Sequence, residues 1–398
     1  MFFEVEPLPG DPILALMAAF REDNSPDKVD LGVGVYQDDN GATPVLAAVS
    51  AAEQQILDTQ ITKSYVGIAG SESFNQQMTA LVFGSDHPAL AEQRITTVQS
   101  AGGSGGLRVA AELLDSLRPD CTVWVSTPTW PNHTPLLSSA GLRIETYAYY
   151  DSQVGAIDEA AMLASIARIP EGDVLLLHGC CHNPTGADLT LEQWQRIGEI
   201  CVQRNLLPFV DTAYQGFAEG LEQDAAGVRL LASMVPELIV VSSCSKNFGL
   251  YRERTGALSV LARSANAAAA IRTHLMKTVR AMISMPPDHG AHIVATILSD
   301  DALRASWEGE LNQMRDRMRH QRQSFVDAIK AHGVDNRFDF IAGQRGMFSL
   351  LGVDPQVITT LREQWHIYIV GSGRINVAGL TPAKVPYFAS ALAATLNG

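Results

Sequence analysis

Between residues 95 and 241 the chain repeats one pattern: a short run rich in Val, Ile and Leu, then a longer amphipathic stretch. The runs fall at 95–98, 122–126, 173–177, 206–210 and 238–241, and helical periodicity marks 107–117, 191–204 and 225–234. Runs without polar alternation need cover on both faces; separated by helices, they predict a mostly parallel sheet. An α/β domain is therefore expected from about residue 45 to about residue 300. The chain has 398 residues, more than the roughly 250–300 that one hydrophobic core usually serves, so a second domain is expected. The helical stretch 300–332 leads into it, with strands at 347–351 and 367–370. Residues 1–44 are assigned with 301–398 to this smaller domain, although pattern alone would let the N-terminal segment pack on either.

Composition removes several classes of function. A formal net charge of −14 is a poor footprint for nucleic acid or an anionic membrane, although a few arginines can still build a local anion site. The 5 cysteines form no C-x-x-C pair and no disulfide framework, which predicts free thiols in a reducing compartment and no metal site. Glu4, Glu6 and Asp11 replace the basic start of a signal peptide, and no apolar stretch approaches the roughly 20 residues of a membrane span. A cytoplasmic protein is expected.

Ligands of open parallel sheets sit at the carboxyl ends of the strands. The residues after four of the runs are Gly102-Gly-Ser-Gly-Gly106, His178-Gly-Cys-Cys-His-Asn183-Pro-Thr-Gly186, Asp211-Thr-Ala-Tyr214 and Ser242-Ser-Cys-Ser-Lys246. Taken singly, each has an ordinary explanation. A lone Lys or Arg is a solvated loop residue, a lone Asp an N-cap, Trp130 a packing residue, and His178 and His182 core histidines. Together they offer an anion cradle, an amide, a carboxylate with a phenol, and a lysine with hydroxyls. Glycines and amides at a helix start bind phosphate, Ser104, Ser243 and Ser245 donate hydroxyls, and Arg254 can form a bidentate pair. A partly buried lysine near a cation can form a Schiff base, and a carboxylate facing a pyridine nitrogen keeps that nitrogen protonated. These are the parts that a pyridoxal-phosphate enzyme needs.

The ordered motifs Leu31-Gly-Val-Gly-Val-Tyr36, Ser64-Tyr-Val-Gly67, Pro128-Thr-Trp-Pro-Asn-His133, Gly346-Met-Phe348 and Gly373-Arg-Ile-Asn-Val-Ala-Gly379 join these strand ends. With them the chain resembles, over nearly its whole length, the class I aspartate/aromatic aminotransferases of pyridoxal-phosphate fold type I. That resemblance implies a large domain with a mostly parallel sheet of the seven-stranded type, and a smaller α/β domain. It implies that Lys246 is the Schiff-base lysine and proton shuttle. Asp211 is then the pyridine-nitrogen partner, with His133 behind it. Asn183 and Tyr214 pair with the ring oxygen, and Trp130 stacks on the cofactor. Gly103, Ser104, Ser243, Ser245 and Arg254 form the phosphate cup. Tyr65 reaches the phosphate of the other subunit, which implies a homodimer with shared active sites. Arg374, with Asn183 and the Gly34 backbone, grips the substrate α-carboxylate. Arg280 meets the distal carboxylate of dicarboxylic substrates across the dimer.

The implied reaction moves an amino group from an aromatic or dicarboxylic L-amino acid to 2-oxoglutarate. Val35 and Thr43 fit the strict aspartate type, whereas Gln37, Ser64, Ser104 and Met285 depart from it. Ser104 is shared with the aromatic members, and Met285 makes one wall more apolar and adaptable. A broad enzyme is expected, with a strict aspartate aminotransferase as the alternative. A dinucleotide-binding oxidoreductase fits less well, because the G-x-G-x-x-G fingerprint counted from Gly103 would need glycine at Arg108. Another reaction on the same scaffold, or a non-enzymatic relative, would not account for both arginines or for Lys246 with Asp211.

Overall fold

The computed structural model describes residues 5–7 and 10–397. Packing divides the chain into two compact units. The larger comprises Pro44–Arg317 and Gln344–Gly346; the smaller comprises Met1–Thr43, Met318–Gly343 and Met347–Gly398.

The larger unit is built on one seven-stranded sheet. Its strands in chain order are β1 (Ile95–Ala101), β2 (Thr122–Thr127), β3 (Arg143–Ala148), β4 (Val174–His178), β5 (Leu207–Thr212), β6 (Leu238–Ser243) and β7 (Thr255–Leu261). They lie side by side in the order β1-β7-β6-β5-β4-β2-β3. All neighbours are parallel except β7, which runs antiparallel to both β1 and β6. The apolar runs explain why the sheet is covered on both faces. Along β4, Val174 and Leu176 enter one buried cluster while Leu175 and Leu177 enter another. In β6, Ile239 and Val241 join the first cluster, and Leu238 and Val240 the second. Each such side chain contributes roughly 1.5–3 kcal/mol by leaving water.

No apolar run announces β7. Its sequence, Thr255-Gly-Ala-Leu-Ser-Val-Leu261, mixes small and polar residues with apolar ones, yet every position is buried. Gly256 belongs there for steric reasons: a Cβ would stand 2.6 Å from the Ser242 carbonyl oxygen and 2.7 Å from the Gly102 carbonyl carbon.

Four helices of the larger unit matter below. Helix α1 (Gly102–Leu117) follows β1 directly. Helix α2 (Leu191–Gln203) starts at a capping box between Thr190 and Gln193. Helix α3 (Leu221–Met234) carries Asp224, whose carboxylate accepts from the backbone N–H groups of Gly216, Ala218, Glu219 and Gly220. Helix α4 (Ala265–Ile283) ends near Met285. The long helix α5 (Asp301–Ala331) belongs to the larger unit up to Arg317 and to the smaller from Met318. No helix among the described residues is long and apolar enough to cross a membrane.

In the smaller unit, strands β8 (Phe348–Leu350) and β9 (Arg374–Asn376) pair antiparallel, with Phe348 opposite Asn376 and Leu350 opposite Arg374. A second pairing, parallel, joins Val29–Asp30 to Ile367–Tyr368. Phe325, Phe338, Ile375, Leu380 and Phe388 are central to its core.

Candidate active site

Strands β1, β4, β5 and β6 point the same way, so their carboxyl ends share one sheet edge. Just past those ends stand Gly102, the loop 179–183, Tyr214 and Lys246, with Asp211 the next-to-last residue of β5. This is the convergence expected from the residues that follow the apolar runs.

Lys246 is partly buried, and its Nζ lies 4.9 Å from the Tyr214 ring centre. Burial brings its ammonium down to about 8; Asp211 opposes the shift and the Arg254 guanidinium adds to it. The neutral amine that a nucleophile and proton carrier needs is therefore far more accessible near physiological pH than in an ordinary lysine, although the ammonium still predominates below pH 8. Burial pushes the Asp211 carboxyl up, but the hydrogen bond from His133 and the nearby His133, His178 and Lys246 outweigh it, so the carboxyl lies below its ordinary value.

His133 is buried, and its Nε2 meets Asp211 Oδ2 at 2.9 Å. The Thr129 hydroxyl joins His133 Nδ1 at 2.8 Å to His178 Nε2 at 3.1 Å. Burial, helped by His133, lowers His178 to about 3, so it stays neutral. His178 is thus part of the polar chain behind Asp211 rather than a simple core histidine. His182 does fit the core reading. Its ring lies flat on Tyr149 at 4.2 Å, with Ser126 and Thr185 hydroxyls on its two nitrogens at 3.0 and 2.9 Å. The Trp130 ring stands edge-on to His133, 5.2 Å between centres.

The anion cradle is equally specific. Gly102 has φ +70°, and a Cβ there would lie 2.5 Å from Arg254 Nη2. A Cβ on Gly103 would meet Ser243 Cβ at 3.0 Å. Arg254 Nη1 donates to the Tyr251 carbonyl at 2.8 Å and to Ser245 Oγ at 3.4 Å. The first turn of α1, which includes Ser104, carries no acidic residue to compete with an anion. Asn183 is buried in a loop anchored by Asp188, whose carboxylate accepts from Cys181 N and His182 N at 2.7 and 2.8 Å. Neither Thr129 nor Asp188 was singled out from sequence. Thr129 lies inside a quoted motif, but nothing local marks it as a bridge.

Cys180, Cys181 and Asp224 bring ligand atoms within 4.8 Å of one another, a grouping that the cysteine spacing does not suggest. The Asp224 carboxylate there is already engaged by four backbone N–H groups.

In the smaller unit, Arg374 is buried; its Nη2 donates to the Gly32 carbonyl at 2.8 Å and its Cζ lies 4.3 Å from the Phe348 ring centre. Gly34 packs so closely that a Cβ would be 3.2 Å from Phe348 Cζ. Asn376 Nδ2 donates to the Val33 and Val35 carbonyls, fixing the same strip of chain. Tyr65 and Arg280 behave differently. Tyr65 is 93% exposed and Arg280 is exposed in the last turn of α4. Beside them, the Val66 N–H donates to Met285 Sδ at 3.1 Å.

The model of the family "Aminotransferase class I and II" matches residues 26–392. The chain belongs to this family. An aspartate aminotransferase of Salmonella typhi is 48% identical over 396 residues, covering 100% of both chains. An aromatic-amino-acid aminotransferase of Pseudomonas aeruginosa is 46% identical, covering 98% of each. The crystal structure of an aromatic-amino-acid aminotransferase from Burkholderia pseudomallei, covalently bound to pyridoxal phosphate, superposes with a TM-score of 0.98 at 43% identity, covering 100% of this chain and 99% of that one.

The aminotransferase is pyridoxal-phosphate-dependent, and its own residues fit that cofactor. The glycine-floored cradle with Arg254 suits a phosphate, Asp211 a pyridinium nitrogen, and the Lys246 amine an aldehyde. The chain has the pyridoxal-phosphate type I fold, and its own sheet is mostly parallel with β7 reversed.

Proposed function

We propose that this aminotransferase moves the amino group of aspartate, tyrosine or phenylalanine to 2-oxoglutarate, with Lys246 as the catalytic base. Bound pyridoxal phosphate supplies the carbonyl carbon that receives the amine and a ring that takes up the electron pair left at the substrate Cα. Lys246 would hold the cofactor at rest, and its neutral amine would take the α-proton from the substrate and later give it back. Asp211, backed by His133, Thr129 and His178, would keep a proton on the pyridine nitrogen. Asn183 and Tyr214 would bind the ring oxygen, Trp130 would cover the ring, and Gly103, Ser104, Ser243, Ser245 and Arg254 would hold the phosphate. Arg374, with Asn183 and the Gly34 backbone, takes the α-carboxylate that every substrate shares.

The carrying observation is the sheet edge that brings together Lys246, Tyr214, the Gly102–Gly106 turn with Arg254, and Asp211 held by His133 at 2.9 Å. Relatives named for aspartate and for aromatic amino acids match at nearly equal identity, which supports a broad substrate range. Arg280 serves the distal carboxylate, and the apolar Met285 accommodates an aromatic ring. The exposure of Tyr65 and Arg280 on one chain suits side chains that serve a second subunit, as in a homodimer with shared sites. Five buried free thiols suit the cytoplasm.

The test is the visible absorbance of the purified holoenzyme across pH, before and after aspartate or phenylalanine. A coloured band bleached by both supports the broad reading. Bleaching by aspartate alone leaves a strict aspartate aminotransferase, and no band with added pyridoxal phosphate removes the Lys246 assignment. Arg280→Ala should lower kcat/KM for aspartate by about tenfold to a hundredfold and spare phenylalanine. Unchanged aspartate turnover in that variant would reject the role of Arg280.

A further inference from the structure

After Trp307, Arg322 is the largest fully buried side chain among the described residues. A guanidinium in a core is costly unless its donors are used. Nη1 and Nη2 of Arg322 donate to two other segments. Nη1 donates to the Ile341 carbonyl at 3.2 Å and to Ser349 Oγ at 2.5 Å, and Nη2 donates to the Phe348 carbonyl at 2.8 Å. One planar group thus ties α5 to the short helix Phe340–Gly343 and to β8.

Strand β8 is the support of Arg374. Phe348 and Leu350 pair with Asn376 and Arg374 on β9, and the Phe348 ring lies against the Arg374 guanidinium. The backbone carbonyl of Phe348 is held by Arg322 while its ring contacts Arg374. We propose that Arg322 is a positioning residue for α-carboxylate binding: it sets the height and tilt of the Phe348 ring and the register of β8, and through them the fork of Arg374. This rests on the role of Arg374 proposed above. A planar fork is needed, because the Ser349 and Phe348 acceptors take different nitrogens of one guanidinium, which a lysine cannot reproduce.

In the holoenzyme, Arg322→Met should raise KM for aspartate and phenylalanine by the same factor, about tenfold to a hundredfold, with a much smaller change in kcat. The dissociation constants of succinate and 3-phenylpropionate, unreactive carboxylates followed through the visible band, should rise equally. The pH titration of that band should stay in place, since Lys246 and Asp211 are untouched. Arg322→Lys should restore only part of the loss. Should Arg322→Met fail to fold, Ser349→Ala removes one acceptor and should raise the same constants about threefold. Unchanged constants in folded Arg322→Met, or in Ser349→Ala if the first variant does not fold, overturn the proposal. Arg374→Ala separates the two ideas. If it leaves 3-phenylpropionate binding intact, the reading of Arg374 fails; if it abolishes binding while Arg322→Met does not weaken it, only the inference about Arg322 fails.

Discussion

The larger unit holds its chemistry with titratable groups, whereas the smaller holds a permanent cation with carbonyls and an aromatic face. Around Lys246 each neighbour changes a protonation state: burial and Arg254 push the ammonium down, Asp211 pushes it up, and His133 holds Asp211 ionised. Around Arg374 there is no proton to tune. The Gly32 carbonyl and the Phe348 ring decide orientation instead. Catalysis needs the first kind of environment because its pKa values must match the reaction, and recognition needs the second because a fork must face a carboxylate. Mutations in the two regions should therefore separate cleanly into effects on rate and pH and effects on binding.

The largest expected effect lies in the first region. Lys246→Ala should lower kcat by about 10⁴-fold while carboxylate binding persists, measured by single-turnover kinetics and by spectral titration with 3-phenylpropionate. Loss of that binding as well would break the separation. Asp211→Asn should follow, with kcat down by about 10²–10³-fold. It should also move the pH dependence of cofactor uptake by the apoprotein. Uptake needs the neutral amine, so it rises with pH through the Lys246 pKa of about 8. Asp211 raises that pKa, so Asp211→Asn shifts the midpoint down; Arg254 lowers it, so Arg254→Gln shifts it up. Shifts of the same sign would show that these charges do not set it. The smallest effect belongs to the second region. Phe348→Leu removes a cation–π contact worth about 0.5–2 kcal/mol, so KM should rise by roughly twofold to thirtyfold with the pH profile unmoved. A displaced pH profile would mean that the two regions are not independent.

Much of the site was legible because parallel sheets put ligands at strand ends, and the residues after each apolar run could be read in order. Lys246, Asp211, Tyr214 and the Gly102–Gly106 turn emerged this way. β7 did not, because its small and polar residues carry no continuous apolar run. Thr129 and Arg322 were silent for another reason: each acts through a partner far along the chain, Thr129 on His178 and Arg322 on Phe348. His178 and His182 show the limit most directly. They are four residues apart, one closing β4 and the other in the loop that follows, yet one extends the network behind Asp211 while the other is stacked on Tyr149 and satisfied by two hydroxyls.

By itself the sequence determined five of the seven strands of the large sheet with helices between them, the glycine turns that admit an anion, and the reactive groups at four strand ends. These follow from local periodicity and from residue chemistry. Tertiary structure decided the rest: the reversal of β7 between β1 and β6, the hydrogen-bonded chain from Asp211 to His178, the depressed pKa of Lys246, and the clamp of Arg322 on the support of Arg374. Each depends on distance and burial between residues remote in sequence, and those quantities exist only once the chain has packed.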